Sequence, residues 1–117
     1  SFCFVNLHLN SQQENVGRRT ASFQKISEKI LSEWKEWRND KEGCDPCNSV
    51  LDTFDYIFWG GDLNYRVNLK RDLVDALISK NEQALLCHND QLTLSMKKSS
   101  VFEGIKEGPL LFKPTYK

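Results

Sequence analysis

The sequence predicts an α/β fold, and three stretches carry that prediction. Residues 2–9 alternate like a strand, residues 11–37 place apolar side chains at helical spacing, and residues 54–59 form a short apolar run closed by two glycines. Strand, helix, loop and strand in that order make the unit from which α/β sheets are built.

In the first strand Phe2, Phe4, Asn6 and His8 share one face, while Cys3, Val5, Leu7 and Leu9 share the other, because side chains alternate across a strand. The second face is wholly apolar. The first turns polar toward its end, so an amide and an imidazole leave the core pointing the same way. Ser11 and Glu14 have the spacing of a capping box, in which each satisfies an orphan N–H group at a helix start. Val16, Phe23, Ile26, Ile30, Trp34 and Trp37 then mark one stripe of a long amphipathic helix, with the two tryptophans read as core. Residues 39–49 are a polar loop. The run 54–59 reads as a fully buried strand. Beyond it, residues 71–80 give a short helix with Leu73, Ala76 and Leu77 on one side, and residues 81–98 hold another turn or two of helix. Gly104, Gly108, Pro109 and Pro114 punctuate an extended tail.

Composition narrows the function. At 117 residues the length sets a limit of one domain, and 16 basic side chains balance 16 acidic ones. Zero net charge argues against bulk electrostatic binding to nucleic acid, but it leaves room for a local cationic pocket. No apolar run approaches the length that spans a bilayer, and no secretory signal is visible. The chain opens inside an apolar strand and stops as abruptly, which reads as the central part of a larger domain. Of the four cysteines, Cys44 and Cys47 have the spacing of a redox pair or half a zinc site. Cys3 and Cys87 stand alone rather than as a second close pair, so reduced thiols and no metal are expected there. Adjacent Arg18 and Arg19, like Lys97 and Lys98, read as solvated helix faces.

The chemistry concentrates at strand ends. Sites in open α/β sheets form outside the carboxyl ends of strands, where side chains escape the packed layers. Asp62 and Asn64 stand just past such an end and share one side if the chain stays extended. A carboxylate there can orient a water or take a proton, an amide can donate to a developing anion, and Arg66 adds a fork suited to phosphate. Gly60 and Gly61 let backbone or ligand approach closely. If the two strands are neighbours, Asn6, His8 and Asp62 converge on one cavity. In the tail, Lys113, Tyr116 and Lys117 offer donors to phosphate oxygens.

Taken in order, "FVNLHL", "FWGGDLNYR", "NDQL" and "FEGIKEGPLLFKPTYK" resemble the inositol polyphosphate 5-phosphatase family, within the magnesium-dependent endonuclease, exonuclease and phosphatase superfamily. The Gly-Asp-x-Asn core points to the superfamily, and the Pro-Thr-Tyr-Lys end narrows it to the 5-phosphatases. The resemblance implies a two-sheet, four-layer α/β sandwich, of which residues 1–117 form the central portion of one catalytic domain. It implies hydrolysis of the 5-phosphate of inositol polyphosphates or phosphoinositides with Mg2+. Asp62 would activate the attacking water, Asn64 would stabilise the phosphoryl transition state, and His8 would contact the scissile phosphate. Tyr116 and Lys117 would bind the neighbouring 4-phosphate, with Arg66 as a supporting substrate contact. The metal-binding glutamate is expected upstream of this chain, and the terminal catalytic histidine downstream.

Leu7 stands where the family has a small polar residue and Asn10 where alanine is common; Leu7 faces away from His8, so a packing change is expected there. The substrate class and the reduced cysteines together place the chain in the cytoplasm, with peripheral membrane contact. Two other readings stay open: a catalytically inactive relative that binds phosphoinositide head groups, and a nuclease of the same superfamily. The neutral charge speaks against the nuclease.

Overall fold

A computed structural model describes residues 1–38 and 49–115. Cys44, Cys47, Tyr116 and Lys117 therefore lie outside the described residues. The elements follow the order β1 (Phe2–His8), α1 (Val16–Trp37), a 3-10 turn (Val50–Asp52), β2 (Tyr56–Asp62), α2 (Arg71–Ser79), α3 (Gln83–Cys87) and α4 (Gln91–Lys97). The chain divides into two compact units, Ser1–Asn10 with Gly17–Asn64 and Ser11–Val16 with Tyr65–Lys117.

In the first unit β1 and β2 pair in parallel, with Phe2 opposite Tyr56 and His8 opposite Asp62. Parallel neighbours need a crossover rather than a hairpin, and α1 lies within it. The apolar face predicted for β1 turns inward: Leu7 and Leu9 are buried. Phe23 of α1 meets Trp59 of β2 with ring centroids 5.0 Å apart, and Trp34 meets Phe54 at 4.7 Å. Trp37 departs from the expected core: it is 76% exposed, with its ring centroid 5.3 Å from that of Trp34.

The opposite face of the sheet corrects the expectation of a fully buried second strand. Phe2 stacks on Tyr56 and Phe4 on Phe58, at 5.2 and 5.0 Å between centroids, yet all four rings are exposed. Alternation explains this. Ile57 and Trp59 are only partly exposed, whereas Tyr56 and Phe58 point to the other side, which stays open to solvent.

The predicted capping box does not form. Gln12 adopts a left-handed conformation (φ 74°), the chain turns over residues 12–15, and the helix begins only at Val16. Asn15 donates its side-chain N–H to the Ser11 carbonyl across that turn, at 2.7 Å.

In the second unit a short antiparallel bridge joins Val67 to Asp90. Val101, Phe102 and Leu86 are buried. The helix face assigned to α2 is corrected too: Leu73 and Ala76 are exposed, and the half-buried residues are Val74, Leu77 and Ile78. Those three keep the i, i+3, i+4 spacing of a helix stripe, rotated by one position. The expected further helix is present as α3 and α4. Asp90 starts α4 by accepting from the Thr93 N–H at 2.9 Å and from its hydroxyl at 2.8 Å. In the tail, Leu110, Phe112 and Pro114 line a pocket of about 170 Å³ together with Val67, Leu86 and Cys87.

Candidate active site

Parallel pairing sends both strands the same way, so their carboxyl ends finish together. The register places Asn6 opposite Gly60, Leu7 opposite Gly61 and His8 opposite Asp62. The two strands are thus the neighbours that the expectation required, and Asn6, His8 and Asp62 lie at the same end of the pair in the first unit. His8 Nε2 lies 3.8 Å from Asp62 Oδ2, and the two side chains are 81% and 63% exposed. That distance exceeds hydrogen-bond range. Imidazole and carboxylate are both exposed at one strand end, at a separation that a water can bridge.

Gly61 makes this arrangement possible. Its φ of +113° is a conformation that L side chains rarely adopt, and a Cβ on it would overlap the Leu7 carbonyl oxygen and lie 2.5 Å from Asn6 Oδ1. Gly60 has open space around it, so only the second glycine allows a close approach. Leu7 is buried on the face opposite His8, as its packing role required.

Past Asp62 the chain does not stay extended. Asp62 Oδ1 accepts the Asn64 N–H at 3.0 Å, and Asn64 takes a left-handed conformation (φ 55°). A carboxylate that captures an N–H two residues on favours this tight turn over extension, and asparagine tolerates it. Asn64 Nδ2 then donates to the Leu9 carbonyl at 2.9 Å, while the Leu9 N–H donates to the Asp62 carbonyl at 2.9 Å. One of the two amide donors of Asn64 is thus committed to the end of β1, which anchors the amide beside the carboxylate.

Arg19 was missed by sequence reasoning. It is 0% exposed, against the expectation of a solvated face, and its Nη1 donates to the Asn10 carbonyl at 2.8 Å. Ser22 adds a bond from its hydroxyl to Asn10 Oδ1 at 3.3 Å. Helix α1 thereby holds the segment that follows His8. The asparagine that departs from the family pattern at position 10 supplies one of these acceptors. The adjacent Arg18 stays exposed, and so do Lys97 and Lys98. Arg19→Met keeps most of the side-chain volume but strips the Asn10 carbonyl of its charged donor. It is expected to cost about 2–3 kcal/mol of stability, read from the urea midpoint beside a neutral Arg18→Met control. A loss below about 0.5 kcal/mol would contradict this role.

Arg66 belongs to the second unit, where its backbone N–H donates to Gln91 Oε1 at 3.0 Å. Among the described residues Cys3 and Cys87 are free thiols, and burial pushes the Cys3 thiol above its usual range.

The match to known proteins covers this whole arrangement. The family model described as "Endonuclease/Exonuclease/phosphatase family 2" matches residues 1–117. The chain belongs to that family. Polyphosphatidylinositol phosphatase INP53 of Saccharomyces cerevisiae is 39% identical over 120 residues, covering 100% of this chain and 10% of that protein. Type I inositol polyphosphate 5-phosphatase 4 of Arabidopsis thaliana is 38% identical over 117 residues, with 100% of this chain and 21% of that protein covered. Synaptojanin-1 of Homo sapiens is 34% identical, with 100% and 7% covered. Among solved structures, the inositol polyphosphate 5-phosphatase domain of SPsynaptojanin, in complex with inositol (1,4)-bisphosphate and calcium ion, superposes with a TM-score of 0.76. It is 28% identical over 99% of this chain and 31% of that one. The resemblance drawn from the motifs is therefore confirmed, and the mixed α/β elements are an incomplete part of the fold it implied. The chain spans at most 21% of the length of these curated relatives.

Proposed function

We propose that residues 1–117 form the central portion of the catalytic domain of an inositol polyphosphate 5-phosphatase, which removes the 5-phosphate from inositol polyphosphates or phosphoinositides. The observation that carries the proposal is the register of β1 and β2. It sets His8 opposite Asp62 across an open strand end, with Asn64 anchored beside them. The relatives' names and the bisphosphate in the related domain point to the same substrate class.

Hydrolysis of a phosphate monoester forms one bond from water oxygen to phosphorus and breaks the bond from phosphorus to the inositol oxygen, which takes up a proton from solvent and leaves as the hydroxyl. Little covalent chemistry is left to the protein, so positioning and charge stabilisation dominate. In this reading Asp62 orients the water and draws its proton, and Asn64 directs an amide dipole at the phosphoryl group. His8 contacts the scissile phosphate. Arg66, with Tyr116 and Lys117, holds the remaining phosphate groups on the ring.

The donor set also fits a hard cation in part. Among the described residues no three His, Cys, Asp or Glu side chains cluster as a metal centre, but the exposed Asp62 carboxylate is an oxygen donor of the kind Mg2+ takes. A bound Mg2+ would neutralise charge on the phosphoryl oxygens. Among the described residues no helix is long and apolar enough to cross a membrane, and a cytoplasmic enzyme with peripheral membrane contact belongs to the same proposal.

The test is phosphate release in the presence of magnesium from inositol phosphates with and without a 5-phosphate, using the longest native chain that contains these residues. Release from the 5-phosphorylated compounds alone is the expected result. No release from a folded chain would overturn the proposal in favour of an inactive head-group binder. Cleavage of DNA or RNA instead would favour the nuclease.

A further inference from the structure

The Asn-Asp-Gln-Leu stretch contributes to the family resemblance, yet the chemistry above gives it no part. Its glutamine is 3% exposed, and its amide is engaged on both sides. Gln91 Nε2 donates to the Gln13 carbonyl at 2.9 Å and to Asn68 Oδ1 at 2.8 Å. Gln91 Oε1 accepts the Arg66 N–H at 3.0 Å, and the Gln91 backbone N–H donates to the Arg66 carbonyl at 2.9 Å. Both backbone polar groups of Arg66 thus end on one residue.

That residue is itself held firmly. It sits at the start of α4, directly after the Asp90 cap. Around it the Asn68 N–H donates to the Asn89 carbonyl at 2.8 Å, and Gln13 Nε2 donates to the Val67 carbonyl at 3.2 Å. Residues 66–68 are gripped along their length. Only a primary amide offers an acceptor and two donors on one flat group of this size. Neither methionine nor glutamate at this position could make all three side-chain bonds.

Arg66 carries its guanidinium on a long flexible stem, and the residue is exposed. A guanidinium recognises phosphate through a rigid fork, which meets its target only when the stem starts from the right place. We propose that Gln91 is a positioning residue for the substrate: it fixes the Arg66 backbone so that the guanidinium meets a substrate phosphate. This rests on the functional reading above, with Arg66 as a substrate contact.

The test is a double-mutant cycle in the longest native chain that contains these residues, with a soluble inositol trisphosphate bearing a 5-phosphate as substrate. Gln91→Met removes every side-chain hydrogen bond and is expected to raise KM roughly tenfold with kcat within about twofold. Gln91→Asn keeps the amide but draws it one methylene back from the Arg66 N–H, and is expected to raise KM only about threefold. In an Arg66→Ala background, Gln91→Met is expected to add nothing further to KM, because two residues that act through one contact are not additive. If Gln91→Met does not fold, Gln91→Asn carries the same cycle.

An equal rise in KM in both backgrounds would overturn the proposal, and so would a lower melting temperature with KM unchanged. If Arg66→Ala itself leaves KM unchanged, the substrate role of Arg66 falls and the positioning role falls with it. If the unsubstituted chain releases no phosphate, the functional reading is what has failed, and both roles fall with it.

Discussion

Replacing Asp62 by asparagine is expected to lower phosphate release about a thousandfold while the chain stays folded. The choice of asparagine matters. Asp62 Oδ1 accepts the Asn64 N–H at 3.0 Å, and an asparagine oxygen can take the same bond. The left-handed turn at Asn64, and the bond from Asn64 to the Leu9 carbonyl, would therefore persist. What disappears is the negative charge facing His8 at 3.8 Å, and with it the ability to take a proton from water. Asp62→Ala would remove charge and turn together, so its larger loss would mix two causes. The measurement is kcat for a 5-phosphorylated inositol phosphate, with urea midpoints for both variants. If Asp62→Asn retains more than about a tenth of wild-type kcat, Asp62 is not the group that activates water.

The second large effect is structural. Gly61→Ala is expected to destabilise the chain by about 4 kcal/mol or more, in the range that marks an exceptional point substitution. Two costs add. An alanine at φ +113° occupies backbone space essentially restricted to glycine. Its Cβ would also overlap the Leu7 carbonyl oxygen and crowd Asn6 Oδ1 and the Leu7 nitrogen, at 2.5 and 2.8 Å. Backbone atoms in a parallel ladder cannot swing away as a flexible side-chain tip can, so β1 and β2 must part at their carboxyl ends. Gly60→Ala is the matched control. No atom lies within 4 Å of its Cβ position, and a change of less than about 1 kcal/mol is expected. Urea midpoints of the two variants check the pair. Equal midpoints would show that the close approach at Gly61 does not limit the fold.

Both effects converge on one strand end, and sequence and structure account for different parts of it. The local elements were legible because they depend on local periodicity. Alternation over residues 2–9 set the two faces of β1, and the spacing from Val16 to Trp34 set the stripe of α1. The pairing of His8 with Asp62 was only conditional, since no local pattern says that two strands 54 residues apart are neighbours. Where the reading went wrong, a non-local or competing interaction had prevailed. Ser11 and Glu14 have capping spacing, but a left-handed Gln12 carried the chain into a turn first. Asn64 does not continue an extended chain, because Asp62 captures its N–H.

Arg19 is the sharpest case. In sequence it cannot be told from Arg18, since both are basic and both lie early in one helix. Only the packed structure decides that one guanidinium is fully buried with a bond to the Asn10 carbonyl while its neighbour faces solvent. Gln91 follows the same logic, because an amide with three partners from two separate segments leaves no local trace.

By itself, then, the sequence determined the α/β class, the strand and helix that carry the polar ends, the identity of Asp62, Asn64 and His8 as candidates, and the family. These follow from residue type and short-range spacing, which the backbone periods of 2.0 and 3.6 translate directly into faces. The tertiary structure alone decided the register of β1 against β2, the need for glycine at position 61, the turn that anchors Asn64, and the burial of Arg19 and Gln91. Each of these depends on which distant atoms fill the space around a residue, and that is settled only when the chain closes on itself.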